Sequence, residues 1–554
     1  MTYSEKPFTK RTKLLLFTLL LAASFFRFYN LNWDEGHFFH PDERNIANAV
    51  SGLIFFSQMD PKFYAYGGFL IYLYKGTVDL LSLLFQNPPL STDWSYINLI
   101  GRYYSAFFST MTLIPLFLLT RKLFTEKTAF LTCLLYVFTV SSIQTAHFSI
   151  TENFLTLSLV TMTYLSLLLY EKPTFIRYFL IGLLLGITVA TKTTGISYTL
   201  LPFITTLLLL TSRRSSLGKG FAGLAGIGGL AFLVFSLFSP FTFLNMEKFL
   251  ESMRFENSVV LGTNPVVYTL QFTSTLPYLF QIQNLFWQLG PVMLASLFGI
   301  ILLLKNLIKS RKAELLIFLS FPLIYFMYVG GWHTKFIRYM VPLLPFFLIS
   351  ASIFLLWMIK KWRYVGIGLT SLCVGITILW ALTFFSIYTR PQTRVIASEW
   401  IYINVPRGSV LYSEHWDEGL PIPLLMGSPD EYYMNQLTIY EPDNEAKISY
   451  YATSLARADY VTITTRRLYG TLLNLPDKYP LTSKYYELLF SGKLGFKKVK
   501  EFSSYPSLFG IEINDDTSEE TFQVYDHPKV MIFRNTKRLS AEEITAVFKK
   551  ERSL

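Results

Sequence analysis

The sequence is poor in charge and in cysteine. Only 16% of its 554 residues are charged, against 52% hydrophobic and 17% aromatic, a balance that excludes an ordinary soluble enzyme. Two cysteines, Cys133 and Cys373, both fall in apolar runs. They exclude a disulfide scaffold and read as small buried apolar side chains. No Gly-rich fingerprint follows a strand-like run, so a soluble nucleotide-sugar site has no support. His40 and Asp42 are suitable donor types for a divalent cation, but two ligands do not make a metal site. Such a cation is the one cofactor the sequence leaves open.

What the chain has instead is long apolar runs. Through the first 390 positions they recur at near-spanning length, each enough to cross about 30 Å of hydrocarbon. About eleven spans are expected, near 14–30, 103–120, 128–146, 153–170, 178–194, 196–212, 221–241, 286–304, 313–330, 339–359 and 364–388. The mean hydropathy of +0.37 agrees. A net charge of +12 would suggest nucleic acid in a soluble protein. Here it concentrates in alternate short connectors, "RKLFTEK", "EKPTFIR", "RRSSLGK", "KNLIKSRK" and "KKWR", the positive-inside pattern of cytoplasmic loops. No nucleic-acid partner is implied; the partner is the bilayer.

The segment 14–30 has a basic flank but no small-residue cleavage site, and is expected to be the first span with a cytoplasmic N-terminus. The stretch 66–85 carries Lys75 and Asp79. Letting it cross would invert every later basic loop, so it is expected to lie along the interface or re-enter. The expected organisation is a transmembrane domain over 1–390 with external loops 31–100 and 242–285, then an external α/β domain over 391–554. Strand-like pieces at 408–413, 460–465, 509–513 and 529–534 and an amphipathic helix at 394–403 support the latter. The fold class expected is a polytopic α-helical membrane protein with a C-terminal external α/β domain, in the cell membrane.

Polar side chains gather at the external ends of these spans. Asp34, Glu35, His40, Asp42, Glu43 and Arg44 follow the first span, and His147 and Glu152 flank the next external turn. Lys192 ends a later span, and "GGWHTKFIRY" places His333, Lys335 and Arg338 at another external end. Carboxylates and cations on one membrane face suit a reaction between a lipid-borne phosphate and something outside. Each has a plainer reading. Asp34 and Glu35 are expected to be solvated acids, His147 a hydrogen-bonded histidine, and Lys192 and Arg338 interfacial anchors. Asp42 and Glu43, adjacent on a helix, must point apart; one is expected to act while the other pairs with a cation such as Arg44.

Four of these segments, "HPDER", "HFSITENF", "ATKTTG" and "FIRYMVPLLP", together resemble the family 39 glycosyltransferases, which use polyprenyl-phosphate sugars. That family has the GT-C fold and includes protein O-mannosyltransferases and aminoarabinose transferases of lipid A. The resemblance covers roughly residues 10–390, and the tail is similar to prokaryotic members. It implies that Asp42 is the acid that activates the acceptor, with Glu43 beside it. Glu152 corresponds to a second acid, where the family often has Asp. Lys192 and Arg338, with Lys335 and His333 nearby, would hold the donor phosphate, and His40, Arg44 and His147 would support the site.

The activity so implied is transfer of one sugar from a polyprenyl phosphate to a protein, lipid or glycan acceptor outside, with anomeric inversion. An oligosaccharyltransferase or ligase moving a preassembled glycan is the enzymatic alternative, although Trp416-Asp417 stands alone without a tandem Trp-Trp-Asp. A lipid-linked-sugar transporter is the other; transporters place charge near the bilayer midplane and show internal repeats, and neither is evident.

Overall fold

The computed structural model describes residues 7–550. The chain divides into two compact units. One takes in the residues up to Asn32, Gly36–Leu261 and Leu276–Phe385; the other comprises Trp33–Glu35, Gly262–Thr275 and the residues from Ser386 onward.

The first unit is helical throughout. α1 (Lys10–Phe28) is capped by Thr9, whose side chain accepts from the Thr12 amide. α2 (Pro41–Ser51) and α3 (Gly68–Leu84) follow, then α4 (Trp94–Met111) running into α5 (Leu113–Leu123). Next are α6 (Glu126–Val137), α7 (Val140–Ala146), α8 (Glu152–Glu171), α9 (Phe175–Thr191), α10 (Leu200–Thr211) and α11 (Leu217–Phe238). The short α12 (Phe241–Leu244) and polar α13 (Met246–Leu261) precede α14 (Leu279–Leu289), α15 (Val292–Ser310), α16 (Ala313–Gly330), α17 (Leu344–Lys361) and α18 (Arg363–Phe385).

Among the described residues, eight helices are long and apolar enough to cross a membrane. α6 and α7 together pass the same test but are bent by 54° at their junction. With the 17-residue α9 and the 19-residue α1, they coincide with the remaining expected spans. The protein is a polytopic helical membrane protein. One boundary is corrected. The expected span 286–304 begins only at Val292, because Gly290, at φ +66°, and Pro291 end α14 first. α3 is not among the eight. Its Lys75 is buried and bridges Asp79 one turn on at 2.8 Å, which accounts for both charges of that stretch.

The second unit is built on a five-stranded mixed sheet. β1 (Val410–Glu414), β2 (Tyr433–Leu437), β3 (Tyr460–Ile463), β4 (Phe496–Phe502) and β7 (Val530–Asn535) lie in the order β2-β1-β3-β7-β4, beside a small hairpin of β5 (Ser507–Leu508) and β6 (Ile511–Glu512). β1 runs parallel to both β2 and β3, whereas β7 is antiparallel to β3 and β4. Four helices complete the fold beyond α19 (Thr393–Asn404): α20 (Glu445–Arg457), α21 (Tyr469–Leu472), α22 (Pro480–Phe490) and α23 (Ala541–Lys550). Their core joins Tyr451, Leu455, Tyr485, Tyr486 and Phe548 to Val461, Ile463 and Phe533 of the sheet. The strand-like pieces and amphipathic helix expected from the sequence coincide with β1, β3, β6, β7 and α19, without the β5 partner of β6. The sequence reading missed β2, "YMNQL", and β4, "FKKVKEF", whose polar composition suits the two edges of a sheet.

Asp34 corrects a further expectation. It is fully buried rather than solvated, whereas Glu35 beside it is exposed. The segment carrying both belongs to the second unit. Within that unit His527 lies between two carboxylates, Asp515 and Asp526, each at 2.6 Å. Burial lowers its pKa, but the two acids outweigh this and raise it to about 10.

Candidate active site at the ends of the helices

The stretch "HPDER" folds as a helix start for reasons visible in its residues. His40 accepts the Asp42 amide through Nδ1 at 3.2 Å, Pro41 stands in the first turn where a missing N–H costs nothing, and Asp42 and Glu43 follow. Both acids are thereby placed at the positive end of the α2 dipole. Consecutive positions point apart, and the two carboxylates go to different partners.

Asp42 Oδ2 accepts from Arg338 Nη1 and, at 2.7 Å, from the Tyr66 hydroxyl. Burial pushes its pKa up, but Arg338, then His40 and Tyr66, outweigh that and hold it well below the usual carboxylate range. Tyr66 is in turn raised well above 10, by burial first and by Asp42 next. Arg338 is presented by a short 3-10 stretch, Ile337–Leu343, whose first carbonyl is held by Gln288 at 2.8 Å. Its Nε–H is buried and has no partner among the described residues. Glu152, in the first turn of α8, accepts from Lys192 Nζ at 3.0 Å. The Lys192 ammonium also lies over the Tyr66 ring at 5.0 Å. The Gly67 amide donates to the Thr191 carbonyl at 3.0 Å. A Cβ on Gly67 would overlap the Ala190 carbonyl, so only glycine brings Tyr66 this close to the end of α9. Two ion pairs, Asp42–Arg338 and Glu152–Lys192, thus meet across one tyrosine.

Glu43 is engaged elsewhere. Fully buried, it accepts Arg102 Nε at 2.8 Å and Nη2 at 2.7 Å in a bidentate pair, and the Ser149 amide at 2.7 Å. This corrects the expected Glu43–Arg44 partnership: Arg44 Nε donates to the Phe38 carbonyl at 2.7 Å. His147 is buried with its two ring nitrogens at the Ile143 and Tyr29 carbonyls, at 2.8 and 2.9 Å, a hydrogen-bonded position that ties the end of α7 to the end of α1. Lys335 donates to the His333 carbonyl at 2.8 Å, and burial lowers its pKa. His40 is buried against the Phe148 ring at 5.0 Å, and burial lowers its pKa to about 4. It is therefore neutral near pH 7. Among the described residues no three metal-ligating side chains are grouped to hold an ion.

Three residues of this neighbourhood escaped the sequence reading. Arg102 stood one place outside an expected span, where an arginine in an apolar run was the available signal. Tyr66 carried none. Glu256 lies on the exposed face of α13; loss of hydration raises its pKa, while Arg338 and Lys192 pull it down.

Residues 99–241 match the family model described as dolichyl-phosphate-mannose-protein mannosyltransferase. The archaeal oligosaccharyltransferase AglB from Archaeoglobus fulgidus, solved with an inhibitory peptide and a dolichol-phosphate, has a similar structure. The two share 14% identity over 91% of this chain and 75% of that one, with a TM-score of 0.55. An Archaeoglobus fulgidus oligosaccharyltransferase tethered to an acceptor peptide containing the NVT sequon aligns over 95% of this chain and 88% of that one, at 14% identity and a TM-score of 0.52. The chain shares the fold of these oligosaccharyltransferase structures. ArnT from Cupriavidus metallidurans, bound to undecaprenyl phosphate, aligns at 13% identity over 95% of this chain and 98% of that one, with a TM-score of 0.45. No curated protein sequence matches the chain. The matched segment 99–241 contains Arg102, His147, Glu152 and Lys192, while Asp42, Tyr66 and Arg338 come from outside it.

Proposed function

We propose that the protein transfers a sugar from a polyprenyl-phosphate donor to an acceptor at the outer membrane face, with Asp42 acting on the acceptor and Arg338 and Lys192 on the donor phosphate. The observation that carries this reading is the pair of ion pairs sharing Tyr66. An acceptor hydroxyl or amine attacks the anomeric carbon from the face opposite the phosphate. The bond from that carbon to the phosphate oxygen breaks, the lipid phosphate leaves with the electron pair, and the acceptor proton passes to Asp42. The negative charge then grows on the phosphate, where a guanidinium and an ammonium stabilise it. The Nε–H of Arg338, without a partner among the described residues, is a donor ready for such an oxygen. Lipid-phosphate mannose in the description of the matched family and dolichol-phosphate in the AglB complex support the donor class.

The AglB likeness also favours a second reading, transfer of a preassembled glycan. Purified protein given polyprenyl-phosphate monosaccharides and lipid-linked oligosaccharides separates the two by which donor releases its lipid. On the first reading Arg338→Ala and Lys192→Ala each weaken donor binding and turnover by about 1.5–3 kcal/mol, the worth of a charge-assisted hydrogen bond. Unchanged kinetics in both would return these residues to membrane anchoring.

The alternation of basic connectors supports a cytoplasmic N-terminus, an external second unit and residence in the cell or inner membrane. Reporter fusions at Arg213, Lys309 and Lys361 should then read as cytoplasmic and fusions after Arg390 as external. A cytoplasmic signal beyond Arg390 would invert the arrangement.

A further inference from the structure

A second concentration of chemistry-bearing side chains lies in the second unit, at the carboxyl ends of the parallel strands. β1 has β2 on one side and β3 on the other, both parallel to it. The chain therefore moves to one side after β1 and crosses to the other after β2. The crevice outside the carboxyl ends at such a reversal is where open α/β sheets bind ligands. The segment that leaves β1 there is His415-Trp416-Asp417.

Trp416 is 43% exposed and has φ +74°. A bulky aromatic in the left-handed region is strained, and persists only where its surroundings enforce it. The enforcement is visible. The Asp417 carboxylate, buried, accepts from Thr465 Oγ1 at 2.7 Å and pairs with Arg394 at 3.8 Å. The Trp416 carbonyl accepts from Arg467 Nη1 at 3.2 Å, and Arg467 Nε is fixed by Glu520 at 2.9 Å. The His415 amide is tied to the Leu437 carbonyl at the end of β2. A buried charge network thus holds a strained turn whose product is an indole at the surface. Around it stand three more rings: His415 at 5.6 Å, Tyr268 at 6.2 Å and Tyr440 at 6.3 Å between centroids. The Tyr440 hydroxyl and His415 Nδ1 are hydrogen-bonded at 2.6 Å, which fixes both rings and leaves His415 Nε2 for another partner.

We propose that this cluster is a saccharide-binding subsite, in which the Trp416 indole stacks on the C–H face of a pyranose ring and the Tyr440–His415 pair engages its hydroxyls. Fixed aromatic faces interleaved with a few polar atoms are the chemistry a sugar ring presents a complement to. A peptide is disfavoured by topology. Main-chain recognition by strand addition needs a free sheet edge, and the strand that carries this turn is paired on both sides. The ligand class rests on the sugar-transfer reading above, but the binding does not depend on catalysis.

The test uses the full-length protein in nanodiscs and cellotriose, maltotriose, mannotriose and chitotriose as probes, with unrelated tripeptides alongside. At least one trisaccharide should bind, Trp416→Asn should weaken it at least tenfold, and Trp416→Tyr should restore most of it. Because asparagine tolerates the left-handed region, Trp416→Asn should not lower the thermal midpoint. Arg338→Ala should bind the trisaccharide as the wild type does. The proposal falls if no trisaccharide binds, if only tripeptides bind, or if Trp416→Asn binds normally. It also falls if Trp416→Asn lowers the midpoint, because the indole is then packing, or if Arg338→Ala loses binding equally, because the sugar then sits in the transfer site. Trisaccharide binding without turnover of any lipid donor would overturn the transfer reading alone.

Discussion

Asp42→Asn should reduce single-turnover transfer by about two to four orders of magnitude, the range for a positioned general base, while donor binding holds or tightens. The second half follows from the first ion pair. If Arg338 holds the donor phosphate as proposed, Asp42 and that phosphate compete for one guanidinium, and removing the carboxylate charge leaves Arg338 to the phosphate. The same competition resolves a difficulty in using Asp42 as a base. Held well below the usual carboxylate range by Arg338, it binds a proton poorly in the free protein. A donor phosphate that draws the guanidinium away restores basicity at the moment it is needed.

The sign can be read in the pH profiles, since the acid limb of kcat/KM reports the free enzyme and that of kcat the donor complex. On the proposed mechanism activity requires ionised Asp42 and should be lost as pH falls through its pKa. The acid limb of kcat should therefore lie at higher pH than that of kcat/KM, and in Arg338→Ala the separation should shrink. Glu35→Gln, at an exposed acid of the same loop, is the control and should transfer normally. Normal transfer by Asp42→Asn would remove the loop from the chemistry.

The sequence made much of this site legible because charge in an apolar chain is conspicuous. Asp42, Glu152, Lys192 and Arg338 could be picked out as polar residues at the ends of apolar runs, and the structure brings these four together. Their partners could not be assigned. Tyr66 is one of 35 tyrosines, and its role depends on Gly67 fitting against the end of α9 from far away in the chain. Arg44 was the sequence neighbour of Glu43, yet a helix turns successive side chains apart, and Arg102 arrives from α4 instead. Among the strands, the buried β3 and β7 were recognisable by apolar content. The edge strands β2 and β4 carry little of it, so composition gave no sign of them. Asp34 was misjudged for the converse reason, because burial of a charged residue is a tertiary fact that local composition does not encode.

Glu43→Gln should act on folding where Asp42→Asn acts on rate. The Glu43 carboxylate and the Arg102 guanidinium are both buried, at 0% and 1% exposure, and meet through two hydrogen bonds at 2.8 and 2.7 Å. Removing the charge from one partner leaves the other uncompensated in a dry interior, which costs about 3–5 kcal/mol. Glu43→Gln and Arg102→Met should each lower the thermal midpoint of the purified protein strongly. The double variant Glu43→Met/Arg102→Met should recover much of that loss, because an ion pair replaced by apolar groups of similar volume leaves no orphan charge. The recovery should be partial, since Arg102 Nη1 also holds the Leu31 carbonyl at 2.8 Å and Glu43 the Ser149 amide. Glu43 anchors the first turn of α2 beside Asp42, so the single variants should also misplace Asp42 and slow transfer in proportion to the structure lost. The opposite pattern, a Glu43→Gln protein of normal midpoint that binds donor and does not transfer, would make Glu43 the reacting acid and reduce Asp42 to its support.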